Sequence, residues 1–275
     1  MKLFRRKKTE KTVETEKIEE PKMATEKQEE SSIDKVVKEV DGKLDMVIAF
    51  DTTGSMAAFI DDVRKEVSEL IPRLFRANPD LRLGIVAFGD YCDMPNAKEF
   101  GDAYQSVQLT DNENSLIKFV KESRDTDGGD GDEFYELVIK KIVEETNWRN
   151  DSKKSVLLIA DSVPHEVGYS YLDIIQNNNI DWHQEALKAA KMGVQFDTLT
   201  IRPYAWFKEL SNITNGLNLP FYSSSKTAEL VEMAAMARGG EEAKEHFRDK
   251  HRVYRDAVDE EMCAISDAYR RKFGF

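Results

Sequence analysis

The chain is predicted to be an α/β protein with a mostly parallel sheet covered by helices on both faces. Three observations carry this. Short apolar runs alternate with stretches of helical periodicity, the pattern of strand–helix–strand crossovers. The runs Leu44–Phe50 and Ser155–Ala160 are apolar nearly throughout rather than at every second position, as strands buried on both faces must be. Both runs end on an aspartate, Asp51 and Asp161, at the edge where open α/β sheets hold their ligands.

Each element follows in order. The first thirty or so residues are Lys, Glu and Thr with few large apolar groups. Such a segment buries too little surface to offset its ordering entropy, so residues 1–32 are expected to be a disordered charged tail. A short amphipathic turn is expected around Ile33, Val36, Val37 and Val40, and the domain itself over 33–238. After the strand at 44–50, Ile60, Val63, Val67, Ile71 and Leu74 recur at spacings of three and four, which is a helix. Leu81–Phe88 reads as a second strand, Tyr104–Leu109 as a short edge strand and Ile117–Val120 as a short helix. Beyond a Gly/Asp-rich loop at 125–132, Phe134, Leu137, Val138 and Ile142 mark another amphipathic helix. The strand 155–160, a helix Trp182–Met192, a strand Val194–Ile201, a further helix, the run Leu219–Tyr222 and a helix Thr227–Ala237 complete the set. Past Gly239-Gly240, residues 239–275 read as one amphipathic helix. Its stripe is Ala243, Phe247, Tyr254, Val258, Met262, Ile265 and Tyr269. That stripe either folds back on the domain or meets a partner or a second copy of the chain.

Composition narrows the function classes. The 275 residues are 40% apolar and 33% charged, which suits one large domain with tails. No run approaches the ~20 apolar residues that cross a bilayer. Two cysteines, Cys92 and Cys263, cannot form a disulfide framework. The basic start, Met1–Lys8, lacks the apolar stretch of a secretion signal. On these grounds the expected compartment is the cytoplasm. A net charge of −12 argues against nucleic-acid binding through phosphate neutralisation.

The strand ends gather acids and hydroxyls. The first strand runs into Asp51-Thr52-Thr53-Gly54-Ser55-Met56, the second into Gly89-Asp90-Tyr91-Cys92-Asp93, and the strand at 155–160 into Asp161-Ser162-Val163-Pro164-His165. Thr126-Asp127-Gly128-Gly129-Asp130-Gly131-Asp132-Glu133 precedes a helix. If these loops converge, their carboxylates repel and raise one another's pKa values. A divalent cation relieves that penalty, and oxygen-only ligands suit Mg²⁺ best, with Mn²⁺ or Ca²⁺ as alternatives. Asp51, Thr53 and Ser55 stand two apart in a tight turn, so their side chains can meet at one point.

An apolar strand followed by Asp-Thr-Thr-Gly-Ser-Met resembles the first loop of von Willebrand factor A-type (VWA) domains, with their metal-ion-dependent adhesion site (MIDAS). Thr53 stands for the first Ser of the Asp-x-Ser-x-Ser core. Gly128–Glu133 resembles the Gly-Gly-Asp-x-Pro-Glu loop of a bacterial and alpha-kinase-linked branch, with Asp132 in place of Pro. Leu158–His165 is similar to that branch's strand-Asp-x-x-Pro-His segment. Gly84–Tyr91 is similar to its second strand and Arg-Asp-Tyr corner, with Gly89 in the Arg position. The resemblance covers roughly residues 44–237. It implies a Rossmann-like VWA fold, with six strands, one of them an antiparallel edge. It implies metal ligands Asp51, Thr53 and Ser55 from the first loop and Asp161 from the third. Thr126 and Asp130 compete for the second-loop position, and Asp130 is the choice. The function implied is metal-bridged binding of an acidic residue on another protein.

Other roles stand beside these. Asp51 and Ser55 can cap the following helix, and Asp90 and Asp93 suit turns. The four histidines show no zinc spacing with either cysteine. His165 suits a loop-orienting role, and Trp182 and Trp206 suit packing. No phosphate-cradling Gly-x-x-x-x-Gly-Lys-Ser/Thr stretch, Gly-x-Ser-x-Gly or His-Glu-x-x-His occurs, and the chain is expected not to be an enzyme. The enzymatic rival is a Mg²⁺-dependent phosphohydrolase with Asp51 as nucleophile. It lacks a general acid two residues on, where Thr53 stands. A third reading is a metal-free scaffold acting through its C-terminal helix.

Overall fold

A computed structural model describes residues 42–220 and 224–274. The expected tail, the turn around Ile33–Val40 and the end of the run at 219–222 lie outside them. The strands are β1 (Leu44–Asp51), β2 (Leu81–Phe88), β3 (Tyr104–Thr110), β4 (Asp132–Glu133), β5 (Lys153–Ala160), β6 (Val163–Pro164), β7 (Val194–Thr200) and β8 (Asn218–Pro220). The helices of four residues or more are α1 (Ile60–Ala77), α2 (Glu113–Glu122), α3 (Tyr135–Glu145), α4 (Trp182–Lys191), α5 (Ala205–Ile213), α6 (Ser224–Arg238), α7 (Glu241–Asp256) and α8 (Glu260–Phe273).

Six strands form one sheet in the order β3-β2-β1-β5-β7-β8. All neighbours are parallel except β2 and β3. The chain starts in the middle, builds outward through β2 and β3, then returns to the other side of β1. The strand order therefore reverses between β1 and β5, where a crevice opens at the carboxyl edge. Pairing of Phe50 with Ile159 sets Asp51 and Asp161 on that crevice.

Alternation of side chains across the strands makes two cores. Met46, Ile48 and Phe50 join Leu83, Ile85, Leu157 and Ile159 under α1, α2, α6, α7 and α8. Val47 and Ala49 join Val86, Phe88, Val156 and Leu158 under α3, α4 and α5. The opposite edge is closed by a charge cluster. Asp45 is fully buried and accepts bonds from Arg82 Nε (3.0 Å), the Arg149 amide (2.7 Å), Arg149 Nε (2.8 Å) and Ser152 Oγ (2.9 Å). Burial opposes its charge, but these bonds outweigh it and hold the carboxyl below its ordinary value.

The single helix expected beyond Gly239 is two. Val258 takes a left-handed φ of 57°, which ends the helical path. The Asp259 side chain then caps the next helix by accepting the Met262 amide at 3.1 Å. The resulting hairpin buries Ala243, Phe247, Tyr254, Met262, Ile265 and Tyr269 against the domain. Val258 stays 75% exposed.

Candidate functional site

The first loop leaves β1 at Asp51 and turns sharply. Asp51 Oδ1 accepts both the Thr53 amide (2.8 Å) and the Thr53 hydroxyl (2.6 Å). Thr53 Oγ1 lies 3.3 Å from Ser55 Oγ, and Ser55 Oγ donates to Asp161 Oδ1 at 2.8 Å. Asp51, Thr53, Ser55 and Asp161 thus form one hydrogen-bonded chain across the crevice. Helix capping is not the job of these residues. Helix α1 begins at Ile60, with Phe59 at its N-cap and no side-chain cap bond.

The second loop docks onto the first through its backbone. The Gly54 amide donates to Asp127 O (3.0 Å) and the Thr126 amide to Thr52 O (3.0 Å). A Cβ on Gly54 would sit 2.9 Å from Asp127 O, so the approach requires glycine. Thr126 Oγ1 meets Thr52 Oγ1 at 3.1 Å beneath the first loop. Asp93 secures the same loop by accepting the amides of Asp127 (3.0 Å) and Gly128 (3.2 Å). It also forms a capping box with Asp90. Both acids therefore hold turns, as their residue type suggested.

Asp130 is not brought to Asp51, Thr53, Ser55 and Asp161 by these bonds. It is exposed, accepting the Tyr169 hydroxyl (3.1 Å) and the Asp132 amide (3.2 Å). It stands with Asp90 and His165, whose ligand atoms all lie within 4.8 Å of one another. One His and two Asp at that spacing can hold a divalent cation. His165 Nε2 donates to Asp90 Oδ1 at 2.6 Å, and its ring stacks on Tyr169 with centroids 3.7 Å apart. Burial disfavours charge on that imidazole. The Asp90 bond and the Glu136 and Asp130 carboxylates outweigh it and hold the pKa above its ordinary value.

The second loop sends Glu133, not Asp130, toward the first-loop chain. Glu133 is 3% exposed, and its Oε2 is buried without a hydrogen bond. Burial, then the charges of Asp51 and Asp90, push its pKa up to about 10, against a Thr53 bond that opposes them. Asp51 is pushed up to about 7, chiefly by burial with a contribution from Asp161, while the Thr53 and Tyr135 bonds pull the other way. Asp161 Oδ2 is likewise buried without a hydrogen bond; the Arg202 guanidinium stands 3.7 Å from it. Hard oxygens from three loops, two of them orphaned and buried, fit a divalent cation.

Three supports of the site escape sequence inspection. The Tyr135 hydroxyl donates to Asp51 Oδ2 and accepts the Ser162 amide (3.2 Å). Trp206 Nε1 donates to Ser162 O (2.8 Å), and its ring lies 5.1 Å from that of Tyr135. Strands β4 and β6 pair Asp132 with Val163 and Glu133 with Pro164. Nothing in the hydrophobic spacing separates Tyr135 or Trp206 from other packing aromatics. Arg202 has a signal, since it ends the run Val194–Ile201 as Asp51 and Asp161 end theirs; Glu133 has none, since it follows a Gly/Asp-rich loop rather than an apolar run.

Comparison with known proteins follows from this geometry. The fold resembles that of the pilus adhesin SpaC of Lactobacillus rhamnosus GG in its open conformation. The TM-score is 0.53 at 17% identity, over 71% of this chain and 30% of the adhesin. It also resembles proximal thread matrix protein 1 of the mussel byssus, a structure whose MIDAS motif holds zinc. There the TM-score is 0.51 at 13% identity, over 71% of this chain and 46% of that protein. The match thus spans less than half of either protein. No curated protein sequence matches the chain. The cytoplasmic assignment is corrected by these likenesses, since neither a pilus adhesin nor a byssal matrix protein is cytoplasmic. Its physical basis was weak: a domain with two full cores needs no disulfides, so scarce cysteines do not report a compartment. Among the described residues no helix is long and apolar enough to cross a membrane. Residues 45–235 match the model of the von Willebrand factor type A domain. With that match, the parallel sheet and the Asp51–Asp161 crevice in place, the chain belongs to the von Willebrand factor type A domain family.

Proposed function

We propose that the chain is a metal-dependent protein-interaction module in which Asp51, Thr53, Ser55 and Asp161 hold a divalent cation, Mg²⁺ by ligand chemistry. The cation would supply a Lewis-acidic position for the carboxylate of an acidic residue on a partner protein. The observation that carries this is the orphaned, buried Asp161 Oδ2 at the end of a hydrogen-bonded chain from Asp51. A buried carboxylate oxygen with no donor is costly unless a charge compensates it. Glu133 joins this set as the second-loop acid. Asp130 and Asp90 are assigned with His165 to a brace, because His165 bonds Asp90 and stacks on Tyr169, whose hydroxyl bonds Asp130.

VWA modules of the adhesion type are generally non-catalytic. The phosphohydrolase reading is disfavoured by Thr53, which stands where such an enzyme needs a carboxylic general acid and is itself bonded to Asp51 Oδ1. The scaffold reading is disfavoured by the C-terminal stripe, all of which but Val258 is buried inside the domain.

The test is thermal unfolding of wild type and Asp51→Ala with Mg²⁺ or chelator. A ligand at about 100 times its Kd stabilises by about 2.7 kcal/mol, and that gain should vanish in the variant while its circular dichroism is unchanged. A wild-type chain indifferent to Mg²⁺, Mn²⁺ and Ca²⁺, or a variant that keeps the gain, overturns the proposal.

A further inference from the structure

Arg202 lies two residues past β7, the strand next to β5. The Ile201 amide donates to Ala160 O at 3.2 Å, which pins this backbone beside Asp161. The side chain is 54% exposed, and its NH2 stands 3.7 Å from Asp161 Oδ2. That separation makes a charge contact without a hydrogen bond. Asp161 itself is fully buried and its Oδ2 has no hydrogen-bond partner. A half-exposed guanidinium thus leans on the one Asp161 oxygen that a metal would claim.

Two physical consequences follow. An acidic ligand approaching a crevice lined by the carboxyl groups of Asp51 and Asp161 meets, among the described residues, no compensating charge but the Arg202 guanidinium, and binding waits until more positive charge is supplied. A guanidinium matches a carboxylate fork geometrically, with two parallel N–H···O bonds. We propose that Arg202 is the second anchor for the ligand: it leans on Asp161 in the ion-free chain and, once that aspartate is engaged by a cation, is released to hold the carboxylate of an acidic segment of a partner protein. The inference rests on the metal reading above and deepens it. It makes cation and carboxylate binding mutually reinforcing, because each displaces Arg202 toward the same position.

The test is calorimetric titration of Mn²⁺ into wild type, Arg202→Gln and Arg202→Lys, in chloride and in acetate buffers of equal ionic strength. Acetate is the carboxylate probe. Acetate should tighten Mn²⁺ binding by wild type about fivefold. Arg202→Gln should bind Mn²⁺ more tightly than wild type in chloride and gain less than half as much from acetate as wild type does. Arg202→Lys, which keeps the charge without the fork, should retain only part of the acetate gain. An equal acetate gain in wild type and Arg202→Gln overturns the role of Arg202 while leaving the metal site standing. Failure of wild type to bind Mn²⁺ in either buffer overturns both.

Discussion

The Tyr135 hydroxyl joins two loops at once, donating to Asp51 Oδ2 and accepting the Ser162 amide at 3.2 Å. Because Tyr135 is fully buried, no water replaces it when the hydroxyl is removed. Tyr135→Phe keeps the ring packed on Phe88 and Trp206 but orphans a carboxylate oxygen and an amide. The expected cost is about 1–3 kcal/mol, read from urea unfolding. Its bond also lowers the Asp51 pKa, so the variant should bind divalent cations more weakly near pH 6.5 than wild type does. Unchanged stability would show that the hydroxyl is dispensable.

The acids of the crevice fix the sign of the pH dependence. Asp51 rises from 3.8 to about 7 and Glu133 from 4.5 to about 10 on folding. Over that window the folded chain holds protons that the unfolded chain has released, so stability falls as pH rises. His165 is raised above 6.5; it contributes stability below that value and loses it as pH climbs through its folded pKa, in the same direction. In chelator, the urea midpoint is expected to fall steadily from pH 5 to pH 8. With Mg²⁺ present the drop should shrink, because the cation competes with protons for these carboxylates. A midpoint that rises with pH in chelator would contradict this account of the crevice.

The C-terminal hairpin is tested through Tyr269. Its ring is fully buried with Phe247 and Met262 in the core shared with α1 and α6, 6.3 Å from Phe247 and edge-on to it. Tyr269→Ala should cost about 3–5 kcal/mol, measured by denaturant unfolding. Removal of residues 241–275 should therefore unfold the domain rather than expose a clean partner surface. A truncated chain that unfolds cooperatively at the wild-type midpoint would return the hairpin to the role of an appendage.

How much of this was legible depends on range. The parallel sheet was readable because burial on both faces leaves unbroken apolar runs such as Ser155–Ala160. The pairing of Asp51 with Asp161 was readable because strand ends converge by topology. What defeated the sequence was orientation within loops. Asp130 and Glu133 are both acids of one Gly-rich loop. Only the β4–β6 pairing, which follows no hydrophobic period, turns Glu133 inward and leaves Asp130 beside Tyr169. The C-terminal stripe kept helical spacing through Val258, so the left-handed turn there was hidden by a residue type that rarely adopts it. Tyr135 and Trp206 look like packing residues and are packing residues; their polar tips are what the site uses.

The two-residue ribbon of β4 and β6 has a mechanical corollary. Two rungs of backbone pairing yoke Glu133 to the stretch that follows Asp161, so neither can be tugged without the other. A load applied through a docked acid would be shared between both loops and passed by way of Pro164 to the His165–Asp90 brace, at the foot of the second strand's exit. Those three stretches are thereby coupled, and a pull on one would be felt in the other two.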